Sequence, residues 1–134
     1  MIDFQFLDVP ELKLNHVHEW FQRVVELEGK ILGNLTIVLG SDDWLLEQNQ
    51  SFLKHDFYTD IITFDYCEMG FISGDLLISI DRVSENAIQY NVSRETELNR
   101  VLVHGLLHLC GYGDETEKEI KIMRKKEDSY LALL

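Results

Sequence analysis

Apolar residues along the chain recur with two periods, and together they predict nine elements. Phe4 and its neighbours over 4–7 read as a short opening strand. Over 9–28 the apolar positions are Leu12, Leu14, Val17, Trp20, Phe21, Val24, Val25 and Leu27, close to helical spacing, with Gly29 and Gly33 bracketing the end. The run 35–39 is rich in β-branched residues between Gly33 and Gly40 and reads as a buried strand. Ser41, Asp42 and Asp43 predict a capped helix to about residue 50. Residues 52–58 read as a loop, and 61–66 and 75–80 as strands around a glycine-containing excursion. Asp81 is expected to cap a helix to about Tyr90, and Ser93 one to about Cys110 that stops at Gly111. A last helix is expected over 115–130. The order β-α-β-α-β-β-α-α-α predicts an α+β protein, a small mixed four-stranded sheet with about five helices packed on it.

Composition narrows the class. With 134 residues, 46% apolar and 27% charged, the chain is expected to be one globular domain over 1–134. Two cysteines, Cys67 and Cys110, cannot build a disulfide framework and suggest a reducing compartment. No basic and then apolar leader opens the chain, and the apolar stretch 101–112 is broken by His104 and His108. A cytoplasmic protein with no membrane partner is the expectation. Asp and Glu number 24 against 12 Lys and Arg, a formal charge of -12, which repels nucleic acid at long range. Binding RNA then requires a local basic patch, a divalent metal or a positioning partner.

The helix expected over 93–110 carries the chemistry. It is apolar nearly all round, so it should be buried. Its one polar seam is Glu97, Arg100, His104 and His108. The two histidines are spaced i, i+4, about 6 Å apart along the axis on one face, where both imidazoles can reach a single ion. Gly111 and Gly113 let the backbone reverse, and Asp114 can return as a third ligand. Two nitrogens and one carboxylate leave a fourth position for water, the mark of a catalytic site, where an ion would bring the pKa of water toward neutrality. A lone helical histidine is usually a core residue. The pair, the glycine-bounded turn and the acid together are far more specific.

The spacing His-x3-His-x2-Gly-x2-Asp is close to that of the metzincin proteases, so a metzincin-like metal-site helix is expected. It departs after the first histidine. A zinc peptidase places its glutamate base there, and Gly105 has no side chain to take a proton. Peptide hydrolysis by that route is disfavoured.

The segment His104-Gly105-Leu106-Leu107-His108-Leu109-Cys110-Gly111-Tyr112 resembles the YbeY family of endoribonucleases and ribosomal RNA maturation factors, whose signature reads H-G-x-L-H-L-x-G-Y-D-H. Thr59-Asp60-Ile61-Ile62-Thr63-Phe64 is similar to the family's T-D-V-L-S-F strand, and Gly74-Asp75-Leu76-Leu77-Ile78-Ser79 to its G-D-I-x-I-S strand. The resemblance spans roughly Asn49 to Glu127 in order. It implies one divalent metal, zinc first, at His104, His108 and Asp114. It also implies single-strand-specific cleavage of RNA in 16S ribosomal RNA 3′-end maturation and ribosome quality control. The implied partners are ribosomal RNA and the small ribosomal subunit, with a ribosomal protein or a GTPase. Two positions depart. The third ligand, histidine in the family, is Asp114, which makes Mn²⁺ or another hard ion more plausible. An arginine of the family falls at Leu53, with Lys54 and His55 beside it as substitutes. The alternatives are a ribosome-associated factor with a structural metal and a metallohydrolase on another substrate.

The remaining residues have two readings each. Lys118, Lys121, Arg124, Lys125 and Lys126 crowd the last helix, and Lys118, Lys121 and Lys125 share a face. They are either a patch for RNA phosphates or a solvated face pairing with Glu115, Glu117 and Glu119. Arg100 either orients a phosphate or pairs with Glu97. Lys54, His55, Arg100, Lys121, Arg124 and Lys125 are thus the candidate RNA contacts. Cys110 lies about 200° round the helix from His108 and is expected to pack, not ligate. His16 and His18 are expected to be solvated, and Trp20 and Trp44 to be core. Asp60, Asp65 and Asp75 lie in or beside strands, and none is assigned as a general base.

Overall fold

The computed structural model describes residues 1–134. Strands β1 (Ile2–Phe6), β2 (Ile31–Gly40) and β4 (Phe71–Ser79) run parallel, and β3 (Ile61–Asp65) lies antiparallel at the edge, in the order β1-β2-β4-β3. The helices are α1 (Val17–Leu27), α2 (Asp42–Leu53), α3 (Ile80–Tyr90), α4 (Arg94–Leu109) and α5 (Glu117–Leu131). This is the expected α+β architecture. Alternation in the strands sorts the sheet into two faces. Leu35, Ile37 and Leu39 of β2, with Leu76 and Ile78 of β4, point into the main core beside Phe21 of α1 and Leu102 and Leu106 of α4. On the other face lies α2, where Phe52 meets Phe64 edge-on at 5.8 Å.

Helix α4 is the axis of the molecule because its sequence allows nothing else. Leu102, Val103, Leu106 and Leu107 are wholly buried, each apolar side chain contributing about 1.5–3 kcal/mol. Ser93 starts the helix, its hydroxyl accepting from the Thr96 amide at 3.1 Å. Three differences from the sequence reading have local causes. Helix α1 begins at Val17, not near Val9; Pro10 pushes Val9 itself out of the helical region. Gly33, read as a boundary, sits inside β2 where the register with β4 shifts, and a side chain there would strike Ser73 Oγ. Helix α3 starts two residues early, capped by Ser79, whose Oγ accepts from the Arg82 amide at 3.1 Å. Asp81 instead accepts from the Asp42 amide at 2.8 Å, at the start of α2.

The close approach of α4 to the sheet turns on Gly105. A Cβ there would lie 2.7 Å from Ile61 Cδ1 and 2.9 Å from Leu76 Cδ2. A side chain after the first histidine would have to push these two methyl groups aside. Gly105→Val is expected to lower unfolding stability by about 2–3 kcal/mol in urea titration, as an overpacked core position does. Parent-like stability would show that the contact is slack.

Candidate metal centre

The geometry of the site is built outward from the end of α4. Gly111, at φ +106°, ends the helix in a Schellman turn. In that turn the Tyr112 amide donates to Leu107 O and the Gly111 amide to His108 O, both at 3.0 Å. The chain then doubles back and brings Asp114 over the two histidines. His104 Nε2 and His108 Nε2 lie 2.9 Å apart, and Asp114 Oδ2 is 3.3 Å from the first and 3.4 Å from the second.

The outer nitrogens decide what this means. His108 Nδ1 is 2.8 Å from Tyr112 O, a carbonyl that only accepts, so this nitrogen carries a proton. His104 Nδ1 is 2.6 Å from Glu127 Oε2 and donates to that carboxylate. In the neutral rings both Nε2 atoms are then bare, with lone pairs facing each other across 2.9 Å and a carboxylate oxygen closing the triangle. Three acceptors at this range repel unless a cation or proton lies between them. A tetrahedral ion with bonds of about 2.0–2.1 Å sets its ligand atoms about 3.3–3.4 Å apart. The two nitrogen–oxygen edges have this length and the nitrogen–nitrogen edge is slightly shorter. His104, His108 and Asp114 thus fit a divalent metal, and no other group of three or more His, Cys, Asp or Glu ligand atoms converges this way. The histidine side chains are 22% exposed and that of Asp114 42%, so the group opens to solvent on one side.

Glu127 is the functional residue that the sequence reading missed. It is 3% exposed, on the face of α5 that buries Met123 and Tyr130. One carboxylate oxygen accepts from His104, and the other accepts from Arg100 Nη1 at 2.9 Å. The signal was an acid four residues after Met123 and three before Tyr130, within an apolar stripe. Tyr112 is held as firmly. Its hydroxyl donates to Glu28 at 2.6 Å, and that carboxylate also accepts from Tyr130 and from Lys126 Nζ at 3.0 Å. Burial works against the Glu28 charge, but these three donors outweigh it and its pKa falls below the usual value.

Burial likewise disfavours a charged His104, but Glu127, Asp114 and Asp60 outweigh it and raise its pKa. Burial pushes the Cys110 thiol up to about 12, so it stays protonated beside the core. The other candidates are placed unevenly. Arg100 points its guanidinium at Glu127 and, through Nη2, at Asp128 at 3.0 Å. Glu97, the partner considered from sequence, is 4.0 Å from its Nε. Arg124 shares a cleft of about 320 Å³ with His104 and Asp114, its side chain 55% exposed. Lys54, His55, Lys121 and Lys125 are exposed and line none of that cleft; His55 stacks on Phe57 at 5.1 Å. Lys118, Lys121 and Lys125 form no ion pair with Glu115, Glu117 or Glu119. His16 Nε2 donates to Asn99 Oδ1 across 2.8 Å; Trp20 is core as expected, whereas Trp44 is only half-buried.

The comparisons with known proteins agree along the chain. The family model described as Endoribonuclease YbeY matches residues 5–134. A protein of that name from Phocaeicola vulgatus is 45% identical, with 100% of this chain and 99% of the relative covered. Another from Bacteroides thetaiotaomicron is 44% identical over 93% of this chain and 91% of its own. Among solved structures, the solution structure of TM1509 from Thermotoga maritima superposes with a TM-score of 0.68 at 32% identity. It covers 98% of this chain and 87% of that one.

Two outcomes are expected. Glu127→Ala should weaken Zn²⁺ binding about 10–100-fold in competition with a chromophoric chelator, as loss of a histidine's outer partner does. Unchanged affinity would remove Glu127 from the site. In the metal-free chain the raised His104 pKa stabilises the fold fully below about pH 6.5, and this contribution is lost as pH rises through the folded value. Thermal unfolding of His104→Gln against parent across that window should show the difference shrinking toward alkaline pH. A constant difference would contradict it.

Proposed function

The chain belongs to the endoribonuclease YbeY family, and from that premise we propose that it is a metal-dependent, single-strand-specific endoribonuclease of 16S ribosomal RNA 3′-end maturation and ribosome quality control. The observation that carries the metal dependence is the convergence of His104, His108 and Asp114 at the mouth of an open cleft. The proposed occupant is one Zn²⁺, with Mn²⁺ the alternative that an aspartate ligand favours. The proposed partners are ribosomal RNA and the small subunit, with a ribosomal protein or GTPase to deliver the substrate. No helix of the chain is long and apolar enough to cross a membrane; the cytoplasm is the proposed location, and residues 1–134 are taken as one domain.

A divalent ion held at this centre would supply Lewis acidity toward a phosphodiester and water at its open corner. The chain's own residues do the rest. Glu127 and Tyr112 O fix the two imidazoles in the tautomer that points Nε2 inward. Arg100 is committed to Glu127 and Asp128 and braces the first of these. Arg124, on the cleft wall with its side chain more than half exposed, is the cation placed to meet a backbone phosphate. Gly105 leaves no peptidase base beside His104, which supports the nuclease over the peptidase reading. The low local count of cations on so acidic a chain also explains why a delivering partner is part of the proposal.

His108→Ala should abolish both stoichiometric zinc and cleavage of a single-stranded RNA oligonucleotide. Metal-dependent cleavage at the parent rate by this variant would refute the proposal. A parent chain that unfolds once a chelator removes its zinc, and that cuts no RNA in the zinc-bound form, would favour a structural metal.

A further inference from the structure

The cleft continues past the metal ligands into a chamber that the proposed chemistry does not use. Its floor is apolar, from Val101 and Met123, which are 3% and 2% exposed. Its polar groups at this end are Asp60, Asn86 and Glu97, with Arg100 and Arg124 on the wall toward the metal ligands, and half-exposed Tyr90 also lines it. The two acids are poorly satisfied. Glu97 is 3% exposed, yet its carboxylate reaches only Arg100 Nε at 4.0 Å, too long for a hydrogen bond. Asp60 faces Asn86 Nδ2 at the long distance of 3.5 Å. Burial raises the pKa of both, outweighing His104 and two backbone amides at Asp60 and the Arg100 charge at Glu97.

The end of the cleft between Asp60 and Glu97, away from Arg124, disfavours a phosphate and accepts N–H donors. A flat ring fits its apolar floor, and the whole cleft, at about 320 Å³, lies at the lower end of small-molecule sites. Resting on the nuclease reading above, we propose that this chamber is a nucleobase subsite, in which the Asp60 and Glu97 carboxylates accept from the amino-bearing Watson–Crick edge of a base next to the scissile phosphate, guanine best of all. Guanine offers adjacent N1–H and N2–H donors to a carboxylate. Adenine and cytosine offer one amino group beside an acceptor nitrogen. Uracil offers a single N3–H flanked by two carbonyl oxygens that face the acids, and is the poorest fit. Tyr90 is placed at the rim to stack on the neighbouring base. The subsite reads the strand by its base edge, which suits an acidic chain better than phosphate contacts do.

The test compares guanosine 5′-monophosphate with uridine 5′-monophosphate, titrated into the full chain saturated with Zn²⁺ and followed by chemical shifts. The sugar and phosphate are shared, so their contribution cancels in the ratio. The guanine nucleotide should bind about tenfold or more tighter than the uracil one, and Asp60→Asn and Glu97→Gln should each reduce that ratio below about threefold. Equal affinities in the parent, or a ratio that survives both substitutions, would overturn the subsite. Should Glu97→Gln fail to fold, the half-buried Asp60→Asn decides alone. Equal affinities with a second bound Mn²⁺ per chain, lost in Asp60→Asn, would overturn it in favour of a cation site. A guanine preference in a chain that cleaves no RNA would uphold the subsite and sink the nuclease reading. Cleavage with no base preference would sink the subsite alone.

Discussion

Two imidazole nitrogens with inward lone pairs, 2.9 Å apart under a carboxylate oxygen, are the constraint around which this molecule is arranged. Neutral rings cannot hold that arrangement unaided. It persists because each outer nitrogen is tied down: His104 to Glu127 and His108 to the carbonyl of Tyr112. The tie on His108 is local, part of the turn that ends α4. The tie on His104 is long-range and depends on α5 docking against α4.

The rest of the fold follows from holding those two ties. Helix α5 is fastened along its C-terminal half. Arg100 grips Glu127 and Asp128, while Glu28 gathers Tyr130 and Lys126 of α5 together with Tyr112 of the turn after α4. Trp20 Nε1 donates to Tyr130 O at 2.9 Å and adds α1 to the same cluster. Gly105 lets α4 sink onto Ile61 and Leu76, which brings the cleft side of β3, with Asp60, beside His104. Gly113 belongs to the same packing. A Cβ there would strike Glu119 Oε2, the side chain that closes the capping box of α5 with Thr116. Glycine at this point leaves the box intact and Asp114 free to swing over the histidines.

What could be read from sequence divides along the same line between local and distant. The His104, His108 and Asp114 spacing was legible because one helix and one turn generate it within eleven residues. The order of strands and helices was legible for a like reason. Helix α1 was read too long, since Leu12 and Leu14 mimic its period although the helix begins only at Val17; Pro10 accounts for Val9 alone. Glu127 was not legible as a partner of His104, because 23 residues and a helix packing separate them. Arg100 was narrowed to a phosphate or Glu97, its neighbour on the same helix. The carboxylates it meets at hydrogen-bond distance are on α5.

The claim beneath all of this is that a cation belongs between His104, His108 and Asp114. Diffraction at the zinc absorption edge, from crystals grown with zinc, tests it most directly. The account predicts one anomalous peak per chain, about 2.0–2.2 Å from both Nε2 atoms and an Asp114 carboxylate oxygen. No peak there, with the two rings turned away from each other, would contradict it.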